Sequence, residues 1–258
     1  MRKFIVLTSI VLCGLLAKGA SAADWQELTS AHFVIYYKNA PMDFVKAVEE
    51  HAERYYKEIS HDLGFIRYRY WRSDERAQIF IYDDGEDFLA SGLAAHWSSA
   101  TAQTRSKIIR SFPTAHGFFD STLPHELGHI IFREFIGHDA RIPLWLEEGI
   151  AMYQEKAKRW GAHEDVRRAL DEGTFMPLDE LTSFYPSART ERKKIDLFYA
   201  EAASIVYYLI QEQGTTRFVR LCRKLQDDVL FEEALKSVYS RFRSLDDLNK
   251  AWIGYIKR

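Results

Sequence analysis

The string His125-Glu126-Leu127-Gly128-His129, set among apolar residues, constrains this chain more than any other feature. On a helix, histidines four positions apart project from one face about one turn apart, so both imidazoles can reach one metal ion. Leu123, Leu127, Ile130, Ile131 and Phe132 supply a buried face for that helix. Ser121 or Thr122 is expected to cap its start, and Pro124 is tolerable because it falls in the first turn. After a gap of 18 residues comes Glu148, in the run Trp145-Leu146-Glu147-Glu148-Gly149-Ile150-Ala151. A second amphipathic helix starting near Pro143 would present Glu148 from a rigid element, with Leu146, Ile150 and Tyr153 for packing. Two imidazoles and one carboxylate make three protein ligands and leave a fourth tetrahedral position open for water, which separates a catalytic zinc site from a structural one.

A five-residue string of this kind also arises by chance, so its surroundings matter. The chain has 258 residues, enough for a full core as one domain or two packed lobes. Its 47% apolar and 28% charged residues are those of an ordinary globular protein. Arg2-Lys3, an apolar run from Phe4 to Ala17, and Ala20-Ser21-Ala22 read as a secretory signal peptide over residues 1–22. The run is shorter than the roughly 20 apolar residues of a membrane span. Cleavage would remove Cys13 and leave Cys222, too few for an internal disulfide. It would also remove Arg2, Lys3 and Lys18, taking the net charge from −2 to −5, with 32 basic against 37 acidic residues. Nucleic acid is not an expected partner, because its binding needs a concentrated basic face. The expected location is exported, a bacterial periplasm or beyond, with no transmembrane anchor after cleavage.

Along the mature chain, His32–Tyr37 and Gln78–Tyr82 read as strands, with a helix from Pro41 to about Leu63 between them. Arg67-Tyr68-Arg69-Tyr70-Trp71-Arg72 mixes basic and aromatic residues, and reads as a surface strand or loop rather than a nucleic-acid or lipid-headgroup patch. Lys107–Phe112 is expected as an edge strand able to hold an extended substrate by strand addition. Replacing Ile109 by Pro would test that role. After Tyr153 the pattern is helical: Ala162–Leu170, then a loop-like Thr174–Thr190, then Tyr199–Gln213 ended by Gly214, then Phe218–Leu225, Phe231–Phe242 and Leu245–Tyr255. The expected fold class is α+β, a small mixed sheet with helices over 23–115 followed by a mainly helical metal-binding lobe over 116–258.

These residues resemble the gluzincin metallopeptidases, and more closely the bacterial peptidase MA-like proteins. The matching stretches are Leu123–His129, Pro143–Ala151, and Tyr199-Ala200-Glu201-Ala202-Ala203-Ser204-Ile205-Val206-Tyr207-Tyr208-Leu209-Ile210 before Gly214. The gap of 18 residues to a Glu-Gly pair is also that of the leukotriene hydrolase and aminopeptidase branch. The resemblance implies a thermolysin-like catalytic domain over about residues 24–258 holding one zinc ion on His125, His129 and Glu148. It implies Glu126 as the acid and base that takes a proton from the water and passes it to the leaving amine. It also implies Tyr199 as the donor to the oxyanion, although Tyr199, Tyr207 and Tyr208 are equally suited to a core. That branch carries Gly-x-Met-Glu-Asn before the zinc helix, where this chain has Gly92-Leu93-Ala94-Ala95-His96. Without that carboxylate, internal cleavage is expected over removal of amino-terminal residues.

The function expected is therefore an exported zinc metallopeptidase, an endopeptidase hydrolysing peptide bonds by metal-activated water in peptide or protein substrates, including those of the cell envelope. The alternative from another class is a cell-envelope binding or assembly factor that retains the fold with little or no turnover. A third reading, a zinc amidase acting on cell-wall material, shares the same water chemistry and differs only in its pocket. His96, His116 and His138 are further candidates for substrate contacts, each also an ordinary surface residue type. Glu147 is suited either to orienting a neighbour of the metal or to facing solvent.

Overall fold

The structure, a computed structural model, describes residues 25–65, 71–92, 100–115, 117–187 and 189–258. The leader with Cys13, residues 67–70 of the basic and aromatic run, residues 93–96, and His116 lie outside the described residues. Among those described, no helix is long and apolar enough to cross a membrane.

Five strands precede the helical part: β1 Gln26–Thr29, β2 Phe33–Tyr37, β3 Ala77–Ile81, β4 Ala100–Gln103 and β5 Ile108–Ser111. They form one mixed sheet in the order β1-β2-β3-β5-β4. The three central strands run parallel, and β1 and β4 are antiparallel edges. Alternation sets the faces: Phe33, Ile35, Ala77, Ile79, Ile81 and Ile109 are fully buried on one side. The helix α1, Met42–Asp62, makes the crossover from β2 towards β3 and buries Val45, Val48, Ala52, Tyr55, Tyr56 and Ile59. A short helix α2, Gly85–Ala90, follows β3.

One expectation about this half needs correction. Lys107–Phe112 contributes β5, but β5 is interior, paired on one side with β3 and on the other with β4. The edge is Ala100–Gln103, whose small and polar residues carry little strand signal of their own. Ile109→Pro would therefore break a buried ladder rather than probe an edge. The edge strand β1 and the helix α2 are elements that the apolar pattern did not announce.

The rest is helical, as expected for an α+β chain of this order. The helices are α3 Leu123–Ile136, α4 Leu144–Gln154, α5 Lys156–Glu172, α6 Leu178–Ser183, α7 Arg192–Tyr207, α8 Thr215–Gln226, α9 Phe231–Val238 and α10 Leu245–Ile256. The stretch 174–190 is thus not all loop, since Leu178 and Leu181 are buried and anchor a short helix after Pro177. The helix carrying Tyr199 begins seven residues earlier than the apolar run, because its first turn, Arg192-Lys193-Lys194, is polar. It then passes into a π-helical turn at Tyr208–Glu212 before Gly214. One continuous apolar core joins the sheet to these helices, from Phe33 to Ile256. Cys222 is a free, fully buried thiol within it.

Candidate metal centre

The histidine helix does not start as expected. Thr122 makes no capping bond, and α3 is continuous with a π-helical turn, Phe118–Thr122, that begins after Gly117. Gly117 sits at φ 67°, a left-handed conformation that glycine adopts without strain. The hydroxyl of Tyr55 on α1 donates to the Phe119 carbonyl at 2.8 Å and holds this turn against the core. Ser121, freed from capping, donates instead to Oε2 of Glu155. Pro124 lies at the first positions of α3, where its missing N–H is tolerated.

On α3, His125 and His129 project together, with their Nε2 atoms 3.2 Å apart. Glu148, on α4, brings Oε2 to 3.8 Å from His125 Nε2 and 3.7 Å from His129 Nε2. These three residues form a group able to hold a metal ion among the described residues. Tetrahedral zinc, with bonds of about 2.0–2.2 Å, places its donors roughly 3.3–3.6 Å from one another. The observed triangle matches that spacing with small adjustments, and two imidazoles with one carboxylate are donors that zinc takes. The residues present therefore fit the ion.

The position of Glu148 depends on two glycines. A Cβ on Gly149 would stand 2.3 Å from the Ala202 carbonyl oxygen on α7, so only glycine lets the two backbones approach. A Cβ on Gly128, between the histidines, would meet Ala151 Cα and Gln154 Cγ on α4, each at 3.1 Å. Glycine at both positions seats α4 between α3 and α7. Glu147 neither faces open solvent nor joins the donor group: its carboxylate takes both Nε and Nη2 of Arg133, with the Nε contact at 2.7 Å. Arg133 also donates to the Ala140 carbonyl at 2.9 Å, tying the far end of α3 and the connecting loop to α4. This bidentate pair sets the register in which Glu148 meets the histidines.

A residue that sequence reasoning did not single out completes the site. Glu155, at the junction of α4 and α5 and 2% exposed, accepts a hydrogen bond at 2.9 Å from His125 Nδ1. That bond fixes the imidazole tautomer, leaving the Nε2 lone pair for a metal. The available signal was a glutamate seven residues after Glu148, two helical turns on and so on the same face of α4. Its charge needs tertiary packing to reach His125.

Burial and charge act on every group here. For His125, burial works against protonation, but the Glu155 hydrogen bond and the charges of Glu126, Glu155 and Glu148 outweigh it and raise its pKa. Burial, with His125 and Arg133 adding, pushes His129 down to about 3, so its ring is neutral. Burial raises Glu148 to about 7, with Glu147 and Glu126 adding and His125 opposing. Burial also raises Glu126, against the pull of His125 and with the push of Glu155. A half-buried carboxylate of raised basicity beside a ligand is suited to accepting a proton. Burial pushes the Tyr199 phenol up to about 12, with Glu148 and Glu126 adding and Arg192 opposing, so Tyr199 lies in the field of the site and stays a proton donor. Tyr207 packs instead on His163 and Tyr153, and Tyr208 on Tyr255. His138 follows the far end of α3 and is not one of the clustered donors.

Two imidazoles and one carboxylate, presented from two helices that follow a five-stranded mixed sheet, make a donor set able to hold a metal ion. The chain belongs to the peptidase MA superfamily, whose family profile it matches over residues 71–258. No curated protein matches it by sequence. Among solved structures it is similar to native yeast LTA4 hydrolase, with 13% identity and a TM-score of 0.53 over 87% of this chain. The likeness spans 38% of that larger chain, and at this identity it concerns the fold. The resemblance to gluzincins read from the motifs thus holds, and the chain carries a metallopeptidase-type domain of α+β class.

Proposed function

We propose that this protein is an exported zinc-dependent endopeptidase. The observation that carries the reading is the convergence of His125 Nε2, His129 Nε2 and Glu148 Oε2 to within 3.2–3.8 Å, with Glu126 half-buried beside them. Bound zinc would polarise the scissile carbonyl and lower the pKa of a water molecule to about 7. Glu126, held off the metal on the same helix, takes the proton of the attacking water and returns it to the amine nitrogen as the peptide bond breaks. Tyr199 donates its phenol proton as a hydrogen bond to the carbonyl oxygen as negative charge develops there. Glu155 holds His125 in place throughout. Export is supported by the leader pattern over residues 1–22, and internal cleavage by Gly92-Leu93-Ala94-Ala95-His96, which lacks a carboxylate to grip a free amino terminus.

The test is zinc content of the purified mature protein together with cleavage of an unstructured peptide library, for wild type and Glu126→Gln. One zinc per chain in both, with cleavage reduced by about a hundredfold or more in the variant, is the expected outcome. Zinc in both with no cleavage by either points to the envelope-binding reading. Zinc absent from wild type removes the mechanism.

A further inference from the structure

Among the described residues, most cations on the surface helices of the helical lobe pair with a carboxylate, many of them on the same helix. On α5, Arg167 pairs with Glu164 at 2.6 Å and Arg168 with Asp165 at 3.0 Å. Arg192 pairs with Asp196 on α7, Lys236 with Glu232 and Glu233 on α9, and Lys250 with Asp246 on α10. Helix α8, Thr215–Gln226, instead carries Arg217, Arg220, Arg223 and Lys224 with no acidic residue. All four are exposed, and none forms an ion pair with a described carboxylate. At 3.6 residues per turn they fall within an arc of about 120°. Phe218, Leu221, Cys222 and Leu225 are buried on the opposite side.

Tertiary structure enlarges this face. The guanidinium of Arg217 donates to the Gln213 carbonyl at 2.7 Å, and Arg241, from the α9–α10 connection, donates to the Gln213 side chain at 3.4 Å. Arg243 is exposed on the same connection. The acids nearest in sequence, Glu212, Asp227 and Asp228, flank the two ends of α8, and Asp228 lies 3.6 Å from Arg141. Outside α8 the chain has 31 basic against 37 acidic residues, so a positive face stands on an otherwise acidic protein. Beside it, the turn after α8 folds back through a 3.0 Å bond from Val229 N–H to the Lys224 carbonyl, and leads to Leu230, 55% exposed.

We infer that the cationic face of α8, with Arg241 and Leu230 at its margins, docks the protein onto an anionic phospholipid surface. The face belongs to the outside of one helix, which suits the diffuse charge of a bilayer plane. Among the described residues the exposed large apolar ones are Met42, Tyr185 and Leu230, so α8 presents no aromatic platform for bases, as single-stranded nucleic acid binding would use. An exposed leucine beside clustered cations is the combination that seats a helix at a headgroup boundary. The choice of a membrane rests on the proposed export, while the docking itself is independent of catalysis.

The experiment is co-sedimentation of the mature protein with vesicles of 3:1 phosphatidylcholine to phosphatidylglycerol, and with phosphatidylcholine alone, over a range of salt. Wild type is expected to bind the anionic vesicles alone and to release as salt rises. The triple variant R220Q/R223Q/K224Q should bind about a hundredfold more weakly, at roughly fivefold per charge. A control with the same change in net charge, K46Q/K57Q/K193Q, should bind as wild type does. Peptide cleavage without vesicles should be equal in all three proteins, which separates failure of docking from failure of the peptidase reading. Equal loss in the control, equal binding to both vesicle types, or binding to duplex DNA but not to anionic vesicles would each overturn the proposal.

Discussion

The two arms of the metal-ligand triangle are built differently. His125 and His129 share one helix, and their spacing alone brings them together. Glu148 comes from α4 and reaches them only because Gly149 lets α7 press on its backbone, Gly128 admits α4 to α3, and Arg133 grips Glu147. The histidine arm is therefore a local property refined by one hydrogen bond from His125 to Glu155. The carboxylate arm is a packing property. Damage to packing should move the second arm first, and damage to polar contacts should tune the first without unseating it.

The largest effect is expected from Gly149→Val. The added Cβ must displace the Ala202 carbonyl, a backbone atom that cannot swing aside. A destabilisation of about 3 kcal/mol or more, with loss of zinc, should appear in thermal melts and metal analysis. A variant that melts like wild type with full zinc would break the contrast between the arms. Glu147→Ala, which strands the Arg133 guanidinium between α3 and α4, should destabilise by about 2 kcal/mol and weaken zinc binding, read by competition with a chelator. If zinc affinity stayed unchanged, the register of Glu148 would have to be set by the glycine contacts alone. Glu155→Gln should leave the melt nearly unaltered and weaken zinc about 10- to 100-fold, as for other groups that orient a ligand histidine. A large stability loss there would mean that the histidine arm too is a packing device.

A separate prediction, read as a pH dependence, concerns Glu201, buried on α7 one residue before Ala202, the residue that Gly149 contacts. One of its oxygens accepts from Met176 N–H at 2.9 Å, while the other is buried without a hydrogen-bond partner. Burial raises its pKa to about 8, with Met176 N–H opposing and Glu180 adding. The folded state thus holds a proton that the unfolded state releases near pH 4.5. Stability from this group is intact below pH 4.5 and falls as the pH rises towards 8. Glu201→Gln, which keeps the acceptor for Met176, should flatten that decline in denaturation curves collected between pH 5 and 8. An identical decline in the variant would remove Glu201 as its cause.

Legibility followed the range of the interaction. Spacing along α1 and α3 revealed their buried faces, since an apolar stripe repeats with the helix itself. The same logic failed at Ser121, which serves Glu155 rather than a helix end, and at β5, which is interior because β4 pairs along its other side. Edge or interior is a matter of what lies alongside, which no single strand encodes. Helix α6 escaped notice because only Leu178 and Leu181 mark it.

By itself the sequence determined that His125 and His129 face one way from a buried helix and that a carboxylate follows on a second helix. It also determined that the chain is α+β with strands before helices. Periodicity and residue chemistry suffice for that, because each is read within a few turns of chain. Only the tertiary structure decided that Glu148 closes the triangle, that Glu155 orients His125, and that the Glu147 carboxylate is taken by Arg133. Those outcomes rest on distances between segments, set where two glycines let three helices touch, and contact between distant segments is a property of the packed molecule.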